Sequence, residues 1–323
     1  MKSGDIMKHR GELFALAELW VVLLHMNRNF PCHLPVLGEV FWHGYVGVDM
    51  FLFLSGLGLC FSLEKNSVKQ FYVNRVKRVL VPSVCLALAE ALITCAVRKE
   101  FSLSYVVKYG TLLSYWIDVD TGVWYVSFII LLYALFPLIK RLDERTKHVG
   151  TVLLALAAEA AVLVSSVRPQ PLVEDYIMAV ARIPVFLCGV LAYPAVKADK
   201  PRRPVPLLGA LLLLTAALFV VYARFEGLKY TLSGALGVLV LYAYTALRST
   251  TGIGRVTKWL APIGAVSLEM YIVHLTVLRV WNGVPFLDAL PWPAAWASIF
   301  AVSLALSVAV RRLFAGLWRR KTA

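Results

Sequence analysis

Long apolar runs separated by short polar, basic segments set the rhythm of this chain. Leu, Val and Ala dominate the runs, which extend over about 17–25 residues, the length a helix needs to cross a bilayer. The short alternating segments expected of membrane β-strands are absent from the pattern. It predicts an all-α polytopic membrane protein with about ten transmembrane helices, near residues 12–30, 44–63, 79–97, 124–140, 149–167, 177–194, 205–223, 231–247, 261–280 and 291–310. The aromatic stretch 101–117 is interrupted by Lys108 and Gly110 and reads as re-entrant or interfacial. The longest outer loop, around 98–123, is too short to bury a core, so residues 1–323 are expected to form a single membrane-embedded domain with no soluble domain.

Basic residues give the orientation. With the N-terminus in the cytoplasm, the inner segments hold 24 of the 33 Lys and Arg residues and the outer segments 8, Arg182 lying inside a crossing. That bias puts both termini on the cytoplasmic side. Composition agrees: only 16% of residues are charged and 60% are hydrophobic, where a soluble domain has roughly 25% charged. A net charge of +14 would in a soluble chain suggest nucleic acid, but here it is spread over the inner loops, and nucleic acid is excluded as a partner. The five cysteines show neither disulfide nor metal-ligand spacing, so no metal is expected and the four within crossings read as small core residues. The first apolar segment is too long for a secretory signal and lacks a small-residue cleavage site. No internal repeat is visible, which weighs against many transporter folds.

A few ionisable residues interrupt the apolar runs, where each is costly without a polar partner or a task. At 1.5 Å per residue, His25, Asp49, Arg182 and His274 all fall roughly 7–10 Å below the outer end of their crossings. Glu90 lies at a comparable depth. Glu18 is two turns below His25 on the same face, and Glu269 is deeper than His274 on another face. Taken singly, each has a structural explanation: a histidine bonded to a neighbouring helix, a snorkelling Arg182, Asp49 capping a helix start, Glu90 or Glu159 as structural partners. Four at one level are more simply explained by mutual proximity in a low-dielectric medium. Trp116, Trp124 and Tyr125 either line a glycan-binding mouth or belong to an interfacial aromatic belt. On the inner side, Arg75, Lys77 and Arg78 stand at a helix start before Pro82; Arg75 and Arg78, at i and i+3, are expected to share a face and to suit a phosphorylated ligand.

The run Gly44-Tyr45-Val46-Gly47-Val48-Asp49-Met50-Phe51-Leu52-Phe53-Leu54-Ser55-Gly56 resembles the second-helix motif of the integral-membrane acyltransferase-3 family, and Phe71–Arg78 resembles the Arg-x-x-Arg segment that follows it there. Gly122–Pro137, Arg182–Gly189 and Ser267–His274 fit further stretches. The resemblance implies ten helices and transfer of an acyl group, usually acetyl, from a cytoplasmic acyl-CoA to a hydroxyl of a glycan or related acceptor. It implies an essential first-helix histidine, matched by His25, and matches Asp49, Arg75 and Arg78 to other motif positions. One departure stands out: where the family often has an arginine eleven residues before that histidine, this chain has Phe14, with Arg10 one turn lower.

The expected function is acyl transfer at a bacterial cell (plasma or inner) membrane, with acyl-CoA as a donor substrate and no tightly bound cofactor. Expected roles are His25 as general base and Asp49 as the group that orients its ring. Arg182 or His274 would stabilise the oxyanion, with Glu269, Trp124 and Tyr125 as further substrate-binding candidates, and Arg75, Lys77 and Arg78 would hold acyl-CoA phosphates. The alternatives are a transporter or flippase using the same polar cluster, and a non-catalytic binding relative.

Overall fold

The structure, a computed structural model, describes residues 2–201, 204–222, 228–284 and 290–320. No strand occurs among them, apart from an isolated bridge between Lys2 and Pro201. Helix is the outcome because backbone N–H and C=O groups in hydrocarbon must be satisfied within their own segment. The helices that frame the site are α1 (Arg10–Asn29), α2 (Pro35–Trp42), α3 (Val46–Glu64), α4 (Val68–Arg75), α5 (Val81–Arg98), α6 (Leu103–Gly110), α7 (Ser114–Asp118), α8 (Trp124–Arg145), α9 (Val149–Val167), α10 (Ile183–Lys197), α11 (Pro204–Tyr222), α12 (Lys229–Thr250), α13 (Ser267–Asn282) and α14 (Trp292–Arg320).

Among the described residues, seven helical segments are long and apolar enough to cross a membrane: Val46–Glu64, Val68–Arg98, Trp124–Arg145, Val149–Val167, Ile177–Lys197, Lys229–Thr250 and Trp292–Leu317. The chain is thus an all-helical, multi-pass membrane protein. Three of the ten expected crossings fall outside this set. α1 has 20 residues but carries Arg10, Glu12, Glu18 and Arg28. The crossing expected over 205–223 extends beyond the described residues, within which its helix is α11 and the apolar stretch Val205–Ala217. The crossing expected over 261–280 is broken at Val266, between a short helix, Leu260–Ala265, and α13. The segment 101–117 folds as α6 and α7, fastened to α8 by the Ser127 hydroxyl, which donates to the Leu112 carbonyl at 2.8 Å.

α3 is the central helix. Of its apolar window 78% is buried inside the bundle, against 22% for α9, which turns mostly to lipid. Without a hydrophobic force between helices in lipid, close backbone approach supplies the contact. Gly56 on α3 meets the Phe186 carbonyl on α10, and Gly189 on α10 meets the Phe53 carbonyl on α3. A Cβ at either would overlap the facing oxygen. Gly189→Val is therefore expected to destabilise the bundle by about 1–3 kcal/mol, seen as a lower thermal midpoint in detergent. Gly209→Val, at a position with nothing within 4 Å, should leave the midpoint unchanged.

Cys60 and Cys95 are buried, as expected of small core residues, whereas Cys85 and Cys188 are exposed on their helices and so do not fill the core. Between α4 and α5 the backbone makes a π-helical turn over Val76–Leu80. Pro82 explains it: a proline lacks the N–H that would bond the carbonyl four residues back, at Arg78, and its ring crowds that carbonyl, so the helix widens locally.

Candidate functional site

Two buried pairs border one cavity near the Asn29 end of α1. The first joins α1 to α13. His25 Nδ1 lies 2.8 Å from His274 Nε2, and His274 Nδ1 lies 2.8 Å from the Met270 carbonyl oxygen one turn back. A carbonyl can only accept, so His274 Nδ1 carries the proton. In the neutral ring Nε2 is then an acceptor, and His25 Nδ1–H must donate to it. This chain of bonds leaves His25 Nε2 as the lone-pair nitrogen. His274 is fully buried, while His25 lines the cavity. Behind them sits Glu18, also fully buried, with neither carboxylate oxygen hydrogen-bonded among the described residues and one of them 3.9 Å from His274 Nδ1. Positive charge acquired by His25 is thus met by an acceptor imidazole and, beyond it, a carboxyl group.

The second pair joins α3 to the residue that precedes α10. Arg182 Nε lies 3.3 Å from Asp49 Oδ1, near enough for charge pairing though angled away from a hydrogen bond. The Ser233 hydroxyl of α12 donates to the other Asp49 oxygen. Arg182 Nη1 donates to the Met178 carbonyl at 3.0 Å. Its guanidinium lies between two aromatic faces, 5.0 Å from the Trp124 ring centre and 4.5 Å from that of Tyr230, an arrangement that compensates a desolvated cation. Asp49 therefore does not orient the His25 ring as the sequence suggests; His274 holds it, and Asp49 is committed to Arg182 and Ser233.

The cavity has a volume of about 400 Å³ and is lined by His25, Arg28, Trp124, Arg182, Tyr271 and Arg279 among others, a size usual for small-molecule sites. Arg279 lies one and a half turns beyond His274 and reaches back to α5, with Nη1 3.2 Å from Glu90 Oε1 and a bond to the Thr94 hydroxyl. Two expected substrate-binding residues stand elsewhere. Glu269 is paired with Arg311 of α14 at 3.2 Å, because it occupies a different face of α13 from His274. Tyr125 does not line the cavity; one residue past Trp124 on α8, it points inward, between Phe51 and Tyr271.

Tyr125 belongs to a column of rings that connects the two ends of the bundle. From the Arg10 end it runs through Phe14, Phe51, Tyr125 and Tyr271 to His274, with successive ring centres 5.4, 5.9, 5.0 and 6.0 Å apart. At its foot the Arg10 guanidinium covers Phe14 at 4.6 Å and abuts Gly58 of α3, within electrostatic reach of Arg75. Arg75 is partly buried, set over the Phe71 and Tyr133 rings at 5.6 and 5.7 Å, and its Nη2 donates to the Ser62 hydroxyl at 3.4 Å. Lys77 and Arg78 are exposed. The π-helical turn starts between Arg75 and Arg78 and changes the angle per residue there, and Arg78 stays within electrostatic reach of Arg75.

A family model described as an acyltransferase domain matches residues 15–312 of the chain. The protein belongs to the acyltransferase-3 family. The match includes both buried pairs, the ring column from Phe51 to His274 and the Arg75–Arg78 segment of this acyltransferase, and excludes Arg10 and Phe14. No curated protein and no solved structure matches it. Sequence reasoning about the acyltransferase missed Arg279, Tyr271 and Ser233. Arg279 carries a signal, being five residues beyond His274 and level with Glu90 on a neighbouring crossing. Ser233 carries none, since a lone serine in an apolar helix is usually bonded to its own backbone.

Proposed function

We propose that this acyltransferase moves an acyl group, in the simplest case acetyl, from acyl-CoA to a hydroxyl of a glycan or other exported acceptor at a bacterial cell membrane. The observation that carries the proposal is the His274–His25 bond, which fixes the His25 tautomer and leaves its Nε2 lone pair for a proton. The donor docks at the Arg10 end, its phosphates against Arg75 with Lys77 and Arg78 nearby, and its pantetheine arm follows the ring column toward Tyr271. The acceptor occupies the cavity at the other end.

His25 Nε2 takes the acceptor hydroxyl proton as its oxygen attacks the thioester carbonyl. The C–O bond forms, the C–S bond breaks, and the leaving thiolate recovers the proton from the imidazolium. Of the two oxyanion candidates, Arg182 is favoured. Both His274 nitrogens are already committed, to Met270 and His25, whereas Arg182 lines the cavity and is pre-set by Asp49 and two rings. Trp124 shapes the acceptor side and braces Arg182.

The test is purified protein in nanodiscs with radiolabelled acetyl-CoA. Free thiol release above the background of empty discs, and label passed to added acceptor glycans, support the proposal. A protein that neither binds nor cleaves acyl-CoA yet moves a solute across vesicles is a transporter instead. Within the proposal, His274→Ala is expected to reduce the rate about 10²-fold, because the His25 ring loses its tautomer lock, with the KM for the donor little changed. His274→Gln, which retains a hydrogen-bond acceptor, should recover part of that loss in the same steady-state assay.

A further inference from the structure

We infer that the acceptor of this acyltransferase carries an anionic group, a carboxylate or phosphate, held by Arg28 at the cavity mouth. The inference rests on the acyl-transfer reading for the identity of the cavity's occupant, but its support is the chemistry of the wall. Three arginines, Arg28, Arg182 and Arg279, line the cavity, and no Asp or Glu does so among the described residues. Two are neutralised from behind, Arg182 by Asp49 and Arg279 by Glu90. Arg28 differs: no carboxylate pairs with it among the described residues, and its guanidinium rests over the Trp42 ring of α2 at 5.5 Å.

The hydrogen-bond inventory points the same way. A neutral sugar presents hydroxyls that donate as well as accept, and a wall that binds it offers carboxylates or amide oxygens in return. Here one such oxygen is already used: Asn29 Oδ1 accepts from Asn282 Nδ2 at 2.6 Å, while Asn29 Nδ2 donates to the His25 carbonyl at 2.7 Å. Asp120, two residues from Gly122 on the wall, accepts from the Gly122 N–H at 2.8 Å. Arg28 alone brings five N–H donors. A cavity with three guanidiniums, no carboxylate on its wall among the described residues and one cation unmatched by an acid suits an anionic ligand, and a guanidinium fork suits a carboxylate or phosphate best.

Lipid phosphate has the same chemistry, so the test separates the two sources. The full-length protein is placed in phosphatidylcholine nanodiscs, and its thermal midpoint is followed with methyl β-glucuronide and with methyl β-glucoside, which differ in charge but little in shape. The glucuronide is expected to raise the midpoint at concentrations where the glucoside does not. Arg28→Gln should weaken that response roughly 10- to 100-fold in concentration, and Arg28→Lys should recover part of it. Equal responses to the two sugars, no response to either, or an unchanged glucuronide response in Arg28→Gln would each overturn the inference. So would discs containing phosphatidylglycerol that stabilise the wild type through Arg28 and abolish the glucuronide response, which would make lipid the occupant. None of these results bears on acyl-CoA cleavage, which the labelled-donor assay reads separately.

Discussion

Replacing His25 with alanine is expected to lower acyl transfer by about 10³-fold while leaving binding of the donor intact. The magnitude is that of a general base placed on the reacting proton, typically 10²–10⁴. The substitution removes the Nε2 lone pair that the cavity exposes and leaves His274 Nε2, now unpaired, facing the gap. His274 cannot replace His25, because its other nitrogen is held by the Met270 carbonyl and the ring is fully buried. His25→Asn is the sharper variant, since its amide can still donate toward His274 but cannot accept a proton from an alcohol. Both variants should bind acyl-CoA at wild-type affinity, the proposed phosphate contacts being at Arg75, at the opposite end of the ring column. Transfer from labelled acetyl-CoA at the wild-type rate in His25→Asn would remove His25 from the chemistry.

Depth along a helix was legible in the sequence; the choice of partner was not. A rise of 1.5 Å per residue is enough to set His25, Asp49, Arg182 and His274 at a common level. Which of them touch depends on the rotation of each helix about its axis and on how closely neighbours approach, and that is decided by small residues such as Gly47, Gly56 and Gly189. Hence the sequence pairs Asp49 with His25, whereas the acceptor beside His25 is another imidazole and the carboxylate faces Arg182. The helix signals were in the chain in two other places. Pro82 foretells the widened turn over Val76–Leu80, and Pro262 with Gly264 precede the break at Val266. Both are overridden when an apolar run is read only for its length. Beside Phe14, the Arg10 guanidinium lies over the Phe14 ring and against Gly58.

The second large effect concerns stability. Asp49→Ala is expected to cost roughly 3–5 kcal/mol, the usual penalty for removing one partner of a buried ion pair. Arg182 is only 1% exposed, and its remaining contacts, the Met178 carbonyl and the faces of Trp124 and Tyr230, neutralise no full charge. Ser233 would lose its acceptor as well. Asp49→Asn keeps the shape and a bond to Ser233 but removes the charge, so it should lie close to the alanine variant in an unfolding titration with dodecyl sulfate. Asp49→Asn combined with Arg182→Gln removes both charges and is expected to recover most of the stability, because a neutral pair of similar volume carries no desolvation debt. It should recover none of the activity, since the cationic group proposed for the oxyanion is gone. A double variant as unstable as Asp49→Asn alone would mean that the charge pair is incidental and that packing around Asp49 holds α3 against α12.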